Sequence, residues 1–262
     1  MVPAGRAGGQ GLSCGRAGAG ALITLLGTGH VFNLRQRLQR EVMARAPDVV
    51  CLELDPPRLQ ALLARQRGDE RRGSAPLAYR LLAEFQDKLA EEQGIVPGDE
   101  LLAAFEAARA AQVPVALIDV DAQVAFRRLW QTMGLWEKTR FLGSAALSAV
   151  MPRWYMDREV AQLKGDYTAL LEQLGREFPT VKRVLLDERN EHMAARLAAL
   201  RAEGRERIVA VVGDGHVEGL QALLAAKQLG HEVEVVRLRE LQAAEPTGTA
   251  SYSFSAQVDG GP

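Results

Sequence analysis

The chain has 262 residues, 47% hydrophobic and 25% charged, enough for a substantial core in one large domain or two small ones. A formal net charge of -1 supplies no global pull toward nucleic acid or an anionic membrane, so neither is an expected partner. Two cysteines, Cys14 and Cys51, cannot build a disulfide scaffold and fit a reducing, cytoplasmic setting.

Residues 1–20 are rich in Gly and Ala, carry arginines but no acid, and lack the apolar core of a secretory signal. They read as a disordered leader, with an organellar transit peptide as the alternative. Residues 21–240 read as one α/β domain. Leu22–Leu26 is its first strand, and a helix capped by Asn33 runs to about Ala46 with Leu34, Leu38, Val42 and Met43 on one stripe. Asp48–Asp55 is the second strand; strand–helix–strand in this length implies a parallel pair. A short helix reaches about Arg65, and 66–74 is a charged linker. Helical spacing predicts helices over 76–93 and 99–111, and Val113–Ile118 is the third strand, closing on Asp119 and Asp121.

The stretch from about 122 to 175 reads as an inserted helical region whose Trp130, Trp136, Trp154 and Tyr155 are expected in packing. It includes Phe141–Met151, the most apolar segment, which falls short of the roughly 18 residues a membrane span needs. A long helix capped by Thr180 runs to about Glu203. Arg207–Val212 is the fourth strand, Val217–Gly230 a helix and Glu232–Leu238 the last strand. The tail, 241–262, is poor in charge and rich in Ser, Thr and Gly, and reads as flexible. The expected fold is therefore α/β, a mostly parallel or mixed sheet of about five strands flanked by helices.

Two stretches organise this plan because they nearly repeat. Ile23–Val31 (ITLLGTGHV) and Val209–Val217 (VAVVGDGHV) each run from an apolar strand through Gly-x-Gly-His into a helix. Open parallel sheets bind ligands beyond the carboxyl ends of their strands. Both turns therefore put a histidine, His30 or His216, on that rim. Glu53 closes the neighbouring strand, and Glu188 and Arg189 lie on or beside the apolar arc of the long helix, where a charge must be paired, metal-bound or neutralised. Imidazoles with carboxylates suit a divalent ion, with Zn, Mn, Co and Fe all compatible, and a hydrolytic site would add an open position and a general base. The alternatives are a structural Glu188–Arg189–His192 network and a dinucleotide site. The second lacks its third glycine, since Phe32 and Glu218 hold those positions.

The blocks LLGTGHV, APDVVCLELDPPRL, PGDELLAAFEAAR with VALIDVD, LLDERNEHMA and VVGDGHVEGL, spanning about 22–238, resemble the TraB/PrgY domain. That family is similar to TIKI proteins and the erythromycin-esterase/ChaN-like group. The resemblance implies a metallohydrolase-type site of paired Gly-x-x-His motifs and a glutamate. It carries over to His30, His216 and Glu53 as metal residues and to Glu53, Glu188 and Arg189 as catalytic ones. Arg58 and Glu100 match positions implied to bind substrate. This chain departs at Asp119-Val120-Asp121, where relatives have Asp-Arg-Asp, at Asn190, where they have aspartate, and in lacking the hydrophobic segment many relatives carry after the domain. The leading expectation is a metal-dependent, metallopeptidase-like hydrolase acting on a peptide or peptide-like substrate. The second is a non-catalytic protein that sequesters such a peptide. A homodimer through the helical insert is a further expectation from its apolar content.

Overall fold

The computed structural model describes residues 22–29, 35–68, 98–150 and 175–243. The leader, the helix expected over 76–93, the end of the insert with Trp154 and Tyr155, and most of the tail lie outside the described residues.

Five parallel strands form one sheet: β1 (Leu22–Thr28), β2 (Val49–Leu52), β3 (Val115–Leu117), β4 (Arg207–Gly213) and β5 (Val233–Val236), in the order β3-β2-β4-β1-β5. The central strands are continuous apolar runs because both faces of the sheet are covered. Leu26, Val50, Leu52, Val209 and Val211 point to one face, against α1 (Arg35–Ala44) and α3 (Asp99–Ala110). Ile23, Leu25, Cys51, Ile208 and Ala210 point to the other, against α7 (Glu188–Ala202) and α8 (Asp214–Ala226). Burial pushes the Cys51 thiol up to about 12, which leaves it a small apolar side chain at neutral pH.

The remaining helices frame the carboxyl rim of the sheet. Asp55 caps α2 (Pro56–Gln66): its carboxylate accepts from Arg58 N–H at 2.7 Å, and two prolines open the helix. Asp121 caps α4 (Ala122–Thr132) through the N–H groups of Gln123 and Val124. α5 (Leu135–Val150) follows; α4 and α6 (Pro179–Lys182) share a small core of Leu129, Met133, Phe178 and Val181, against which Phe141 of α5 packs. A π-helical turn, Arg183–Asp187, joins α6 to α7. A last helix, α9 (Leu238–Ala243), follows β5 and takes up Leu238 of the expected strand and the first residues of the expected tail. No helix among the described residues is long and apolar enough to cross a membrane.

Several boundaries differ from expectation for identifiable reasons. β1 extends through Gly27 and Thr28 because these pair with Val212 and Gly213 of β4. α8 starts at Asp214, so His216 sits in its first turn and not before it. The long helix opens at Pro179 and Thr180 does not cap it; the Thr180 N–H is taken by Glu137 of α5 at 3.0 Å. Met43 leaves the α1 stripe for solvent, and Trp136 is 77% exposed although packing was expected of it.

The strand order has a functional consequence. β4 separates β1 from β2; the helices after β1 and β2 go to one face, and the helix after β4 goes to the other. Chains diverge on both sides of the β4 carboxyl end, which opens a crevice there. The tight entry into α8 depends on Gly27: a Cβ at this position would collide with Asp214 Oδ1 and lie 3.1 Å from Val217 Cγ2. Asp214 cannot yield cheaply, since it accepts from Arg237 at 2.8 and 3.0 Å and from Leu238 N–H at 2.9 Å. Gly27→Ala is expected to cost about 1–3 kcal/mol through overpacking. A shifted urea midpoint with an unchanged m-value would show it; an unshifted midpoint would mean that the strand and α8 separate freely.

Candidate functional site

The crevice is filled by charged side chains from four elements. Glu53 stands one residue past β2, and its N–H still bonds Val211 O of β4 at 3.1 Å, so the strand ladder fixes its backbone. Its side chain is nearly buried. Oε2 accepts from Gly213 N–H at 2.6 Å, while Oε1 accepts from Arg189 Nη2 and faces His216 Nε2 at 3.3 Å. A Cβ at Gly213 would meet Glu53 Oε2 at 3.4 Å, an ordinary van der Waals contact, so the carboxylate lies directly against this turn. Burial pushes the Glu53 carboxyl up, but His216, Arg189 and the Gly213 N–H together hold it well below the usual carboxylate range.

Arg189 ties this carboxylate to a second one. Its Nε and Nη2 make a bidentate pair with Asp119, at 2.9 and 2.7 Å, and its Nη1 donates to Leu185 O at 3.2 Å in the π-helical turn. Burial would lower the guanidinium pKa, but Glu53 and Asp119 outweigh it and raise it further, so Arg189 is a permanent cation. Asp119 follows β3, is buried, and also accepts from Arg58 Nη1 at 3.0 Å and from its neighbour Val120 N–H at 2.8 Å. Arg58 projects from the first turn of α2 with its side chain 31% exposed, the most open cation of the group. Asp55 closes the frame: besides capping α2 it accepts from Ala122 N–H at 2.9 Å, binding the start of α4 to the end of β2. On its far edge, His216 Nδ1 lies 2.7 Å from Asn190 Oδ1.

The structure thus brings together Glu53, Arg189, His216 and Arg58. Glu188 is turned away and pairs with Arg128 through contacts of 2.5 and 3.1 Å; that hydrogen bond lowers its pKa. The expected Glu188–Arg189–His192 network is therefore divided among different partners, and His192 is exposed. Glu100 is buried in the first turn of α3. His30 lies outside the described residues, one position past Gly29. Asp119 and Asn190 were underrated by sequence reasoning. Asp119 had a usable signal, because it ends β3 as Glu53 ends the adjacent parallel strand β2.

Among the described residues, no three His, Cys, Asp or Glu side chains converge to hold a metal ion. Two donors of such a set are present. Ligands each about 2.0–2.1 Å from a tetrahedral ion stand roughly 3.3 Å apart, which is the separation of His216 Nε2 and Glu53 Oε1. A carboxylate oxygen has two lone pairs, so Arg189 leaves Glu53 Oε1 one direction for a further partner.

A doubly covered parallel sheet with a His–Glu–Arg–Asp cluster at its carboxyl rim defines the class: an α/β protein with its polar site at the strand crossover. The match to the TraB/PrgY/gumN family covers residues 16–234, and the chain belongs to that family. It is also similar to an uncharacterized protein of Methanocaldococcus jannaschii, 29% identical over 236 residues, which cover 82% of this chain and 56% of the relative. The chain thus spans little more than half of that relative's length.

Proposed function

We propose that this rim is the active site of a divalent-metal-dependent hydrolase acting on a peptide or peptide-like substrate. The observation that carries the reading is the His216 Nε2–Glu53 Oε1 pair, two donors at ligand spacing in the strand-end crevice. Charge is compatible with it: Glu53 and Asp119 balance Arg58 and Arg189, while Asp55 and Asp121 are taken up as helix caps, so the site carries no excess of positive charge. His216, Glu53 and His30 would hold the ion; Zn, Mn, Co and Fe all suit such donors. When bound, it supplies a Lewis acid and a water of lowered pKa. Arg189 keeps Glu53 ionised and fixes its orientation. Arg58, partly exposed and anchored on Asp119, would meet an acidic or carbonyl group of the substrate. Glu188, held by Arg128, contributes at most an outer acid.

A second reading has its own support. Arg189 already occupies Glu53 Oε1, so the cluster is internally paired without an ion and would serve a non-catalytic site that sequesters a peptide. Metal analysis of the purified chain with a peptide-library cleavage assay separates the two. The hydrolase reading expects about one bound ion and cleavage in the wild type, with both lost in His30→Ala and His216→Ala. Equal metal content and equal turnover in all three proteins would exclude it. Saturable peptide binding without products under any divalent ion would favour sequestration.

A further inference from the structure

The side of His216 away from Glu53 is as deliberately built as the side facing it. Asn190, buried on α7, places Oδ1 2.7 Å from Nδ1 of the imidazole. Its seat exists because position 219 is glycine: a Cβ there would overlap Asn190 Nδ2 and lie 3.0 Å from its Cγ. Around it Met193, Ala194, Val217 and Leu220 are fully buried, so neither helix can shift to release the contact without disturbing that core.

An amide oxygen accepts a hydrogen bond and cannot donate one, so the proton of the Asn190–His216 bond resides on Nδ1. A neutral imidazole carries one N–H, and Nε2 is then left with its lone pair directed toward Glu53 Oε1. Two electron-rich atoms 3.3 Å apart repel unless a proton or a cation joins them. We propose that Asn190 is a positioning residue that locks His216 in the Nδ1–H tautomer and so presents Nε2 as a donor to a cation in the crevice. This rests on the metal-site reading for its purpose, though not for its test. Because the amide is neutral, it orients the ring without adding a charge to the rim. The role explains why α8 carries a glycine in mid-helix, where glycine ordinarily costs about 1 kcal/mol relative to alanine.

The test is the side-chain 15N spectrum of the metal-free, full-length chain labelled in histidine. It is recorded at about pH 9 so that imidazoles are neutral, with His216 assigned by comparison with His216→Ala. The expected result is a protonated Nδ1 and a bare Nε2. Asn190→Asp keeps an acceptor and is expected to keep that tautomer; Asn190→Leu, similar in size, is expected to move the proton to Nε2, where Glu53 accepts it. Zinc titration of the same proteins should show Asn190→Leu weakened about 10–100-fold, the usual cost of losing a ligand's outer partner, with Asn190→Asp near the wild type. An Nε2–H tautomer in the wild type would overturn the proposal. So would an unchanged tautomer in Asn190→Leu. The expected tautomers in a wild type that binds no zinc would instead defeat the metal reading and leave the positioning role standing.

Discussion

Glu53→Ala is expected to lower the unfolding free energy by about 3–5 kcal/mol, the cost of removing one partner from a buried ion pair. Two groups lose their acceptor together: the Arg189 guanidinium and the Gly213 N–H. Neither can turn to bulk water, because Glu53 is only 7% exposed and Gly213 is pinned in the β4 ladder. Glu53→Gln keeps the shape and an acceptor oxygen, and should cost less, about 1.5–3 kcal/mol. The pair also predicts a pH signature. The folded carboxyl lies well below its ordinary value, so its stabilisation is complete above the unfolded value of about 4.3 and is lost as pH falls from there toward the folded value. Urea unfolding between about pH 6 and pH 3 should therefore show a steeper loss in the wild type than in Glu53→Gln. Parallel curves would mean that Glu53 is not held by its neighbours.

Arg189→Met is expected to be as damaging at neutral pH, about 3–5 kcal/mol, with the opposite pH response. One Nη atom of Arg189 touches both Glu53 Oε1 and Asp119 Oδ2, so its loss leaves two buried carboxylates facing each other. Burial and like charge then raise a carboxyl pKa. A carboxyl raised on folding is destabilising when ionised, so the variant should regain stability as pH falls toward about 5, through uptake of one proton. Arg58 still partners Asp119 at 3.0 Å, which makes Glu53 the natural proton acceptor. Calorimetry in buffers of different ionisation enthalpy would register that proton. A variant that loses stability on acidification as the wild type does would refute the shared-cation geometry.

Much of the architecture was legible because burial on both faces writes each central strand as an apolar run, and Gly, Pro and Asp mark the ends. The strand order was not: Leu22–Thr28 and Arg207–Gly213 are interchangeable in pattern, and nothing in an apolar run says that β4 enters between β1 and β2. The site was half legible. Acids closing β2 and β3 signal groups on one rim, and Glu53 and Asp119 both proved to be there. Glu188 and Arg189 could not be told apart, since neighbours on a helix point about 100° from each other and only one can face the sheet. The π-helical turn just before them further obscures the phase, because a helix carried on from α6 without it would aim other residues inward. Asn190 and Gly219 meet only through the packing of α7 on α8, a contact no local pattern encodes.

An anomalous-difference map of crystals grown with saturating zinc would show whether the His216–Glu53 rim receives a divalent cation. One strong peak is expected about 2.0–2.1 Å from His216 Nε2, with the His30 imidazole as a further ligand. A map with no peak in the crevice would rule that cation site out.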